Sequence, residues 1–203
     1  MTAVSVGLVV GLVAGYFRGI VDTALSRVGD VMLAMPQLLI SIGIVAACNS
    51  SVNGCLDGLI QPGLRLVICV IVIFSWPYIA RLVRSFTLSI REKEFVEASR
   101  SLGASDLRII FREILPNLAG PMIVYATLLI PQSILFEAAL SYLGLGVPVT
   151  TASWGGLLSE AQTYYDTAWW LILFPGLFLV ITTLAFNLLG DGLRDALDVR
   201  SDR

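Results

Sequence analysis

Five apolar stretches, at about 2–17, 31–48, 64–80, 118–140 and 168–189, constrain this chain more than any other feature. Each approaches the roughly 20 residues that a helix needs to cross the hydrocarbon of a bilayer. Only 14% of the 203 residues are charged, against about a quarter in a soluble domain. The sequence therefore predicts an all-α integral membrane protein, a polytopic helical bundle with about five transmembrane helices. Pro36, Pro77, Pro131 and Pro175 fall inside four of the stretches, and Pro121 lies near an end. A membrane bundle tolerates this because neighbouring helices re-satisfy the freed carbonyls.

The basic residues set the orientation. Arg18 and Arg27 lie in the loop 18–30. Arg81, Arg84, Arg91, Lys93, Arg100, Arg108 and Arg112 lie in 81–117, and Arg194, Arg200 and Arg203 in the tail. If the helices simply alternate, these twelve share one side and only Arg65 stands on the other. Residues 81–117 and the C-terminus are thus expected in the cytoplasm, with 49–63 and 141–167 outside. The same count puts the N-terminus outside, with neither the basic flank nor the cleavage site of a signal peptide. That predicts an N-terminally truncated chain whose preceding helix is missing, with a genuine five-helix protein as the alternative.

Several function classes drop out on residue type. There is no His, so the commonest general base and metal ligand is absent. Lys93 is the only lysine and stands in no phosphate-binding GxxxxGK[ST] loop. A net charge of −2 gives no case for nucleic acid. No cofactor or metal is expected on this chain.

In the first apolar stretch Gly7, Gly11, Gly15 and Gly19 recur every fourth residue. Small residues at that spacing let two membrane helices approach closely. Packing within the chain is the expected use, and a homodimer seam is the alternative.

The densest charge lies in EFVEASRSLGASDLRIIFREILPN, residues 94–117. Phe95, Ala98 and Leu102 follow an i, i+3, i+7 pattern with Val96 alongside, which predicts a short helix with one apolar stripe. Gly103 fits a helix stop, and Ser105 and Asp106 start a second helix. There Leu107, Ile110, Phe111 and Ile114 form the next stripe, and Pro116 marks the predicted boundary. A helix lying on lipid is biased to Lys and Arg. Here Glu92, Glu94, Glu97, Asp106 and Glu113 are interleaved with the basic residues, a mixed-sign surface that suits a protein partner better.

EASRSLG, followed after a dozen residues by LP, resembles the EAA loop of binding-protein-dependent ABC importers. Glu97, Ala98, Gly103, Leu115 and Pro116 match; Ser99 replaces a second Ala, and Glu113 stands where an Ile is usual. YFRGIVDTALSRVGDVMLAMPQLLI (16–40), LSYLGLGVPVTTASWGGLLSEAQ (140–162) and FNLLGDGLRDALDVR (186–200) are similar to segments of the dipeptide/oligopeptide/nickel permease branch, the C-type membrane subunit. Departures are VTTAS in the outer loop, for a more proline-rich run, and Val199 for a Pro. The resemblance covers essentially the whole chain. It implies a single type I ABC transmembrane domain over 1–203, six-helical in the family, with 81–117 as its cytoplasmic coupling loop. It implies that Glu94, Glu97, Ala98, Ser99, Leu102, Gly103 and Ala104 contact an ATPase subunit. It further implies a second homologous permease, two ATP-binding subunits that carry ATP and Mg, an extracytoplasmic binding protein, and a prokaryotic inner membrane.

Within the spans, Glu137 is the residue to explain, since an ionisable group inside a membrane is a functional candidate by default. With Gln132 and Ser133 it is read either as part of a substrate path or as a hydrogen-bonded anchor of the outer loop. Cys48 and Cys55 flank the outer loop, where a disulfide would close it; Cys69 is expected to be packed. Trp154, Tyr164, Tyr165, Trp169 and Trp170 read as an interfacial aromatic belt. Asp191, Arg194, Asp195 and Asp198 share a helix face, for local ion pairing or for an ATPase. Three functions compete for these residues. They are the permease subunit of an ATP-driven importer of di- or oligopeptides (or of nickel or another small solute), a secondary transporter with Glu137 as ion relay, and a membrane enzyme. The second leaves the hairpin unexplained, and the third lacks any nucleophile–base pair.

Overall fold

The computed structural model describes residues 1–50, 55, 60–148 and 150–198. The described residues are almost entirely helical: α1 Thr2–Tyr16, α2 Ile20–Ala34, α3 Gln37–Ser50, α4 Leu64–Ile90, α5 Glu94–Ser101, α6 Asp106–Ile109, α7 Leu115–Tyr142, α8 Trp154–Ala161 and α9 Trp170–Asp198. Leu64–Ile90, Asp106–Tyr142 and Trp170–Leu197 are long and apolar enough to cross a membrane. With α2 and α3 they make a multi-pass membrane protein. Of the described residues, those within 1–35, 72–126 and 191–198 form one compact unit, and those within 36–71 and 127–190 a second.

The apolar stretches and the helices differ in four places. The span expected at 31–48 is broken: α2 and α3 meet at 84°. Met35 is extended there (φ −82°, ψ 137°), because the Pro36 ring excludes the helical conformation from the residue before it. The expected loop 18–30 is instead mostly α2. The helix expected to stop near residue 80 runs on to Ile90. Pro116 is no boundary: the chain is helical from Asp106 to Tyr142. A π turn at Ile110–Ile114 precedes the proline, and Leu115 N–H reaches back to Ile110 O. Such a wide turn inserts a residue into the helix and accommodates a ring that has no N–H to offer.

In the first unit, α1 lies directly on α4. A Cβ added at Gly7 would fall 2.5 Å from Ile79 Cβ, at Gly11 2.5 Å from Ala80 O, and at Gly15 2.7 Å from Thr87 Cβ. The glycine stripe therefore packs within the chain. Gly19 leaves the stripe and holds the turn into α2 at φ +88°. Charges join α2 to α4: Asp22 accepts from Arg84 Nε and Nη2 at 2.5 and 2.7 Å, and Asp30 from Arg81 at 2.6 Å. Arg18 pairs with Glu92 just beyond. So α2 is amphipathic, its acids turned to the basic end of α4. The stripe also leaves one polar misfit: Thr87 is fully buried and its hydroxyl has no hydrogen-bond partner.

In the second unit, α7 ends at Gly144 (φ +76°), where Leu145 N–H bonds Leu140 O and Gly144 N–H bonds Ser141 O. This six-to-one, five-to-two closure is how a left-handed glycine ends a helix. Helix α8 starts on Ser153, whose Oγ accepts from Gly156 N at 3.0 Å. Trp154 stacks on Phe178 of α9. Cys48 and Cys55 form a disulfide with a Cα separation of 4.9 Å.

Gly11→Leu is expected to destabilise the detergent-solubilised protein by more than the roughly 1–3 kcal/mol of ordinary overpacking, because backbone as well as side chain must move. Gly43→Ala, where a Cβ meets nothing within 4 Å, should leave Tm unchanged or raise it. Thr87→Val removes the orphaned hydroxyl and should hold or raise Tm, since an unpaired buried polar group costs about 1–3 kcal/mol. Thermal unfolding of the three variants checks the set.

Candidate functional site: the charged hairpin and the far end of the long helix

The hairpin is built by α5, a four-residue turn (102–105), and the continuous helix from Asp106. Its turn follows from Gly103. At φ +78° that residue allows Gly103 N–H to bond Arg100 O and Ala104 N–H to bond Ser99 O, at 3.0 and 3.1 Å. The carbonyls at the end of α5 are thus satisfied. Ser99 Oγ then donates to Glu113 Oε1 at 3.2 Å, bridging the two arms. Glu113 is the position where the EAA pattern departs toward charge, and this bond gives the departure a use.

The apolar stripes are turned differently from the expectation. Val96 is completely buried, whereas Leu102 is 89% exposed, and Phe95, Leu107 and Phe111 are exposed as well. In the second arm Ile109, Ile110 and Ile114 face inward. Periodicity identified an apolar face but not which apolar residues go to the interior. Of the seven predicted contact residues, Glu94, Glu97, Ala98, Leu102 and Gly103 are exposed, and Ser99 and Ala104 are partly covered. All seven lie on α5 and its turn. The hairpin thus leaves leucine and phenylalanine uncovered among acids; in a protein interface such apolar side chains suit the buried centre and the carboxylates its polar rim.

A second cluster was missed by sequence reasoning. The Tyr16 hydroxyl donates to Asp106 Oδ1 at 2.6 Å. Arg91 Nη1 donates to Tyr16 O at 2.5 Å and to Gly15 O at 3.3 Å. These are among the carbonyls a helix end leaves unsatisfied, and a cation there also meets the negative end of the helix dipole. The only signal in the sequence is a Tyr closing an apolar stretch, which reads more simply as an interfacial aromatic.

At the other end of the long helix, Glu137 is partly buried. Its Oε1 accepts from Ser141 Oγ at 2.6 Å, and Ser141 Oγ in turn accepts from Val147 N at 3.1 Å. Gly146 and Gly155 both press against Ser141 and leave no room for a side chain. The carboxylate therefore anchors the loop that follows α7 through Ser141. Ser133 donates to its own helix at Leu129 O, 2.8 Å away, and Gln132 is exposed. The three predicted pathway residues lie on one helix, but no hydrogen bond joins them. In the tail, Asp191, Arg194 and Asp195 are on α9; the Asp198 side chain and Val199 lie outside the described residues, as do most of 49–63 and Val149. Among the described residues no group of three His, Cys, Asp or Glu side chains could hold a metal.

Residues 7–203 match the family described as binding-protein-dependent transport system inner membrane component. The dipeptide transport system permease protein DppC of Alkalihalophilus pseudofirmus is 42% identical over 192 residues, 95% of this chain and 59% of that protein. The glutathione transport system permease protein GsiD of Pectobacterium atrosepticum is 40% identical over 198 residues, 98% of this chain and 62% of that one. This chain spans about 60% of the length of such relatives. Among solved structures, an inward-facing form of the MetNI methionine ABC transporter superposes with a TM-score of 0.76 at 19% identity, over 97% of this chain and 88% of that one, a likeness of fold.

Ser141→Ala should lower Tm, because it strips Val147 N–H of its acceptor and Glu137 of its donor, while Glu137→Gln keeps an oxygen for Ser141 and should stay near wild type. Thermal unfolding of both variants decides it. Maleimide labelling of the unfolded, unreduced protein should count one thiol, that of Cys69, and three after reduction. Three before reduction would exclude the disulfide.

Proposed function

Because the chain belongs to the binding-protein-dependent transport system inner membrane component family, we propose that it is the membrane subunit of an ATP-driven importer, carrying di- or oligopeptides. The match over 7–203 carries this reading. The substrate class is taken from relatives named for dipeptide and glutathione transport, both peptides. Import of nickel or another small solute is the narrower alternative, and the binding protein would make much of that choice.

In this reading 81–117 is the coupling loop of a type I transmembrane domain. It lies in the cytoplasm with the C-terminus, on the basic side of the chain. The exposed Glu94, Glu97, Ala98, Leu102 and Gly103 enter a groove on a separate ATPase subunit, with Ser99 and Ala104 shaping the turn behind them. ATP and Mg are held and ATP is hydrolysed by that partner, which leaves this chain without catalysis of its own. The full assembly pairs it with a second homologous permease, two ATP-binding subunits and an extracytoplasmic binding protein. Closure of the ATPases moves the hairpin and switches access to the membrane cavity. Gln132, an exposed amide within an apolar helix, is costly against lipid and better placed along a substrate path or against a partner. The bond from Ser141 to Glu137 favours anchoring over an ion relay.

Gly103→Val forces a β-branched residue into a left-handed conformation that costs it heavily. Glu97→Trp places bulk in the groove. Both should insert normally in the membrane yet lose the ATPase in co-purification and lose ATP-dependent uptake. Wild-type co-purification and uptake by both variants would overturn the docking assignment.

A further inference from the structure

The hairpin has a second side, turned toward the membrane part of its own unit. Asp106 opens the second arm three residues after Gly103. Sequence gives it the role of a helix starter, but its carboxylate is engaged by Tyr16 at 2.6 Å. Tyr16 is only 5% exposed, and a hydrogen bond to a carboxylate is short and strong among its kind. The phenol is not a loose finger. Arg91 holds the carbonyls of Tyr16 and Gly15 and lies over the Tyr16 ring, 5.7 Å from its centroid. The helix behind it is equally fixed: at Gly7, Gly11 and Gly15 no side chain fits between α1 and α4. A displacement of Asp106 therefore meets a rigid path through Tyr16 into α1 and, across the glycine stripe, into α4.

We propose that the Tyr16–Asp106 hydrogen bond is a transmission contact, passing movement of the hairpin into the α1–α4 pair, with Arg91 positioning the phenol. This rests on the hairpin docking an ATPase, as proposed above. The partner engages α5 and the turn from outside, while Tyr16 grips the second arm from within. Tyr16 acts through Asp106 and touches neither nucleotide nor cargo. A purely structural bond would lower the amount of assembled complex and leave each assembled complex equally efficient. A transmission contact changes the efficiency itself.

The test measures ATP hydrolysis and uptake of radiolabelled dialanine together, in proteoliposomes holding the full-length permease with its permease and ATPase partners and supplied with the binding protein. Tyr16→Phe and Asp106→Ala should assemble and hydrolyse ATP within about twofold of wild type. Their uptake per ATP should fall about tenfold or more, the factor that loss of a hydrogen bond to a charged group carries. Asp106→Asn keeps an oxygen acceptor for the phenol and should retain at least about half of the wild-type ratio. An unchanged ratio in Tyr16→Phe and Asp106→Ala, failure of either to assemble, or an Asp106→Asn ratio as low as that of Asp106→Ala overturns the proposal and leaves the docking reading intact. A wild-type complex that does not hold the ATPase or import dialanine removes the functional reading and this one with it.

Discussion

The first unit depends on the close approach of α1 and α4. Between helices in lipid there is no water to expel, so association rests on packing and on polar contacts. Gly7, Gly11 and Gly15 bring backbone within reach of Ile79, Ala80 and Thr87, a proximity that larger residues forbid. Helix α1 has 15 residues, about 22 Å of rise, and is short for a bilayer on its own. The stripe holds it on a 27-residue neighbour. The pairs that follow, Arg91 on the α1 carbonyls and Tyr16 on Asp106, need α1 to stop at that depth. A glycine exchanged for leucine would therefore disturb the hairpin as well as the packing.

Charge explains where hydropathy misread the helices. The apolar stretch of α4 ends near residue 80, yet the helix continues to Ile90. Arg81 and Arg84 are matched there by Asp30 and Asp22 across the groove to α2. Hydropathy marks where lipid gives way to polar surroundings; it does not mark where hydrogen bonding stops. Pairs partly open to solvent contribute modestly to stability. Their more secure effect is to fix which face of α2 meets α4, since the opposite face would set Ile20, Val21, Val28 and Val31 against the arginines. The prolines show the same limit of local reading. Pro36 breaks a helix, Pro77 and Pro175 sit inside helices, and Pro116 follows a π turn. What differs is whether a neighbour or a wider turn can take up the freed carbonyl, a fact of tertiary packing.

The hairpin divides into what was legible and what was not. Its turn could be read from Gly103 alone, because a left-handed helix cap is a local requirement that glycine meets without steric cost. Its candidate docking segment was expected from resemblance, because EASRSLG…LP is a long pattern. Its faces could not be read. The i, i+3, i+7 spacing put Leu102 on the buried stripe, but Val96 fills the interior and Leu102 projects. Amphipathic periodicity assumes one apolar face turned to one core. This element carries apolar residues on two faces, buried Val96 and Ile114 and exposed Leu102 and Phe111, and their allocation depends on how the arms cross. The Tyr16–Asp106 bond was invisible for a related reason: its members lie 90 positions apart, and each has a sufficient local explanation.

Glu137 shows how such a group should be weighed. A carboxylate within an apolar helix suggests chemistry, and in a secondary transporter it would be a proton or ion site. Yet four residues on, Ser141 shares its helix face and donates to it, and the same hydroxyl takes the N–H of Val147. One turn of helix thus anchors a loop whose glycines, Gly146 and Gly155, leave no space for a larger arrangement. A relay group must exchange partners during turnover, and releasing this one would leave the Ser141 hydroxyl without its acceptor in a crowded site. Under the proposed function the energy would come from a partner's ATP, and the membrane subunit would have no need of a titrating relay. It would need a loop after α7 that keeps its shape during turnover, a restraint that the Glu137–Ser141–Val147 chain supplies.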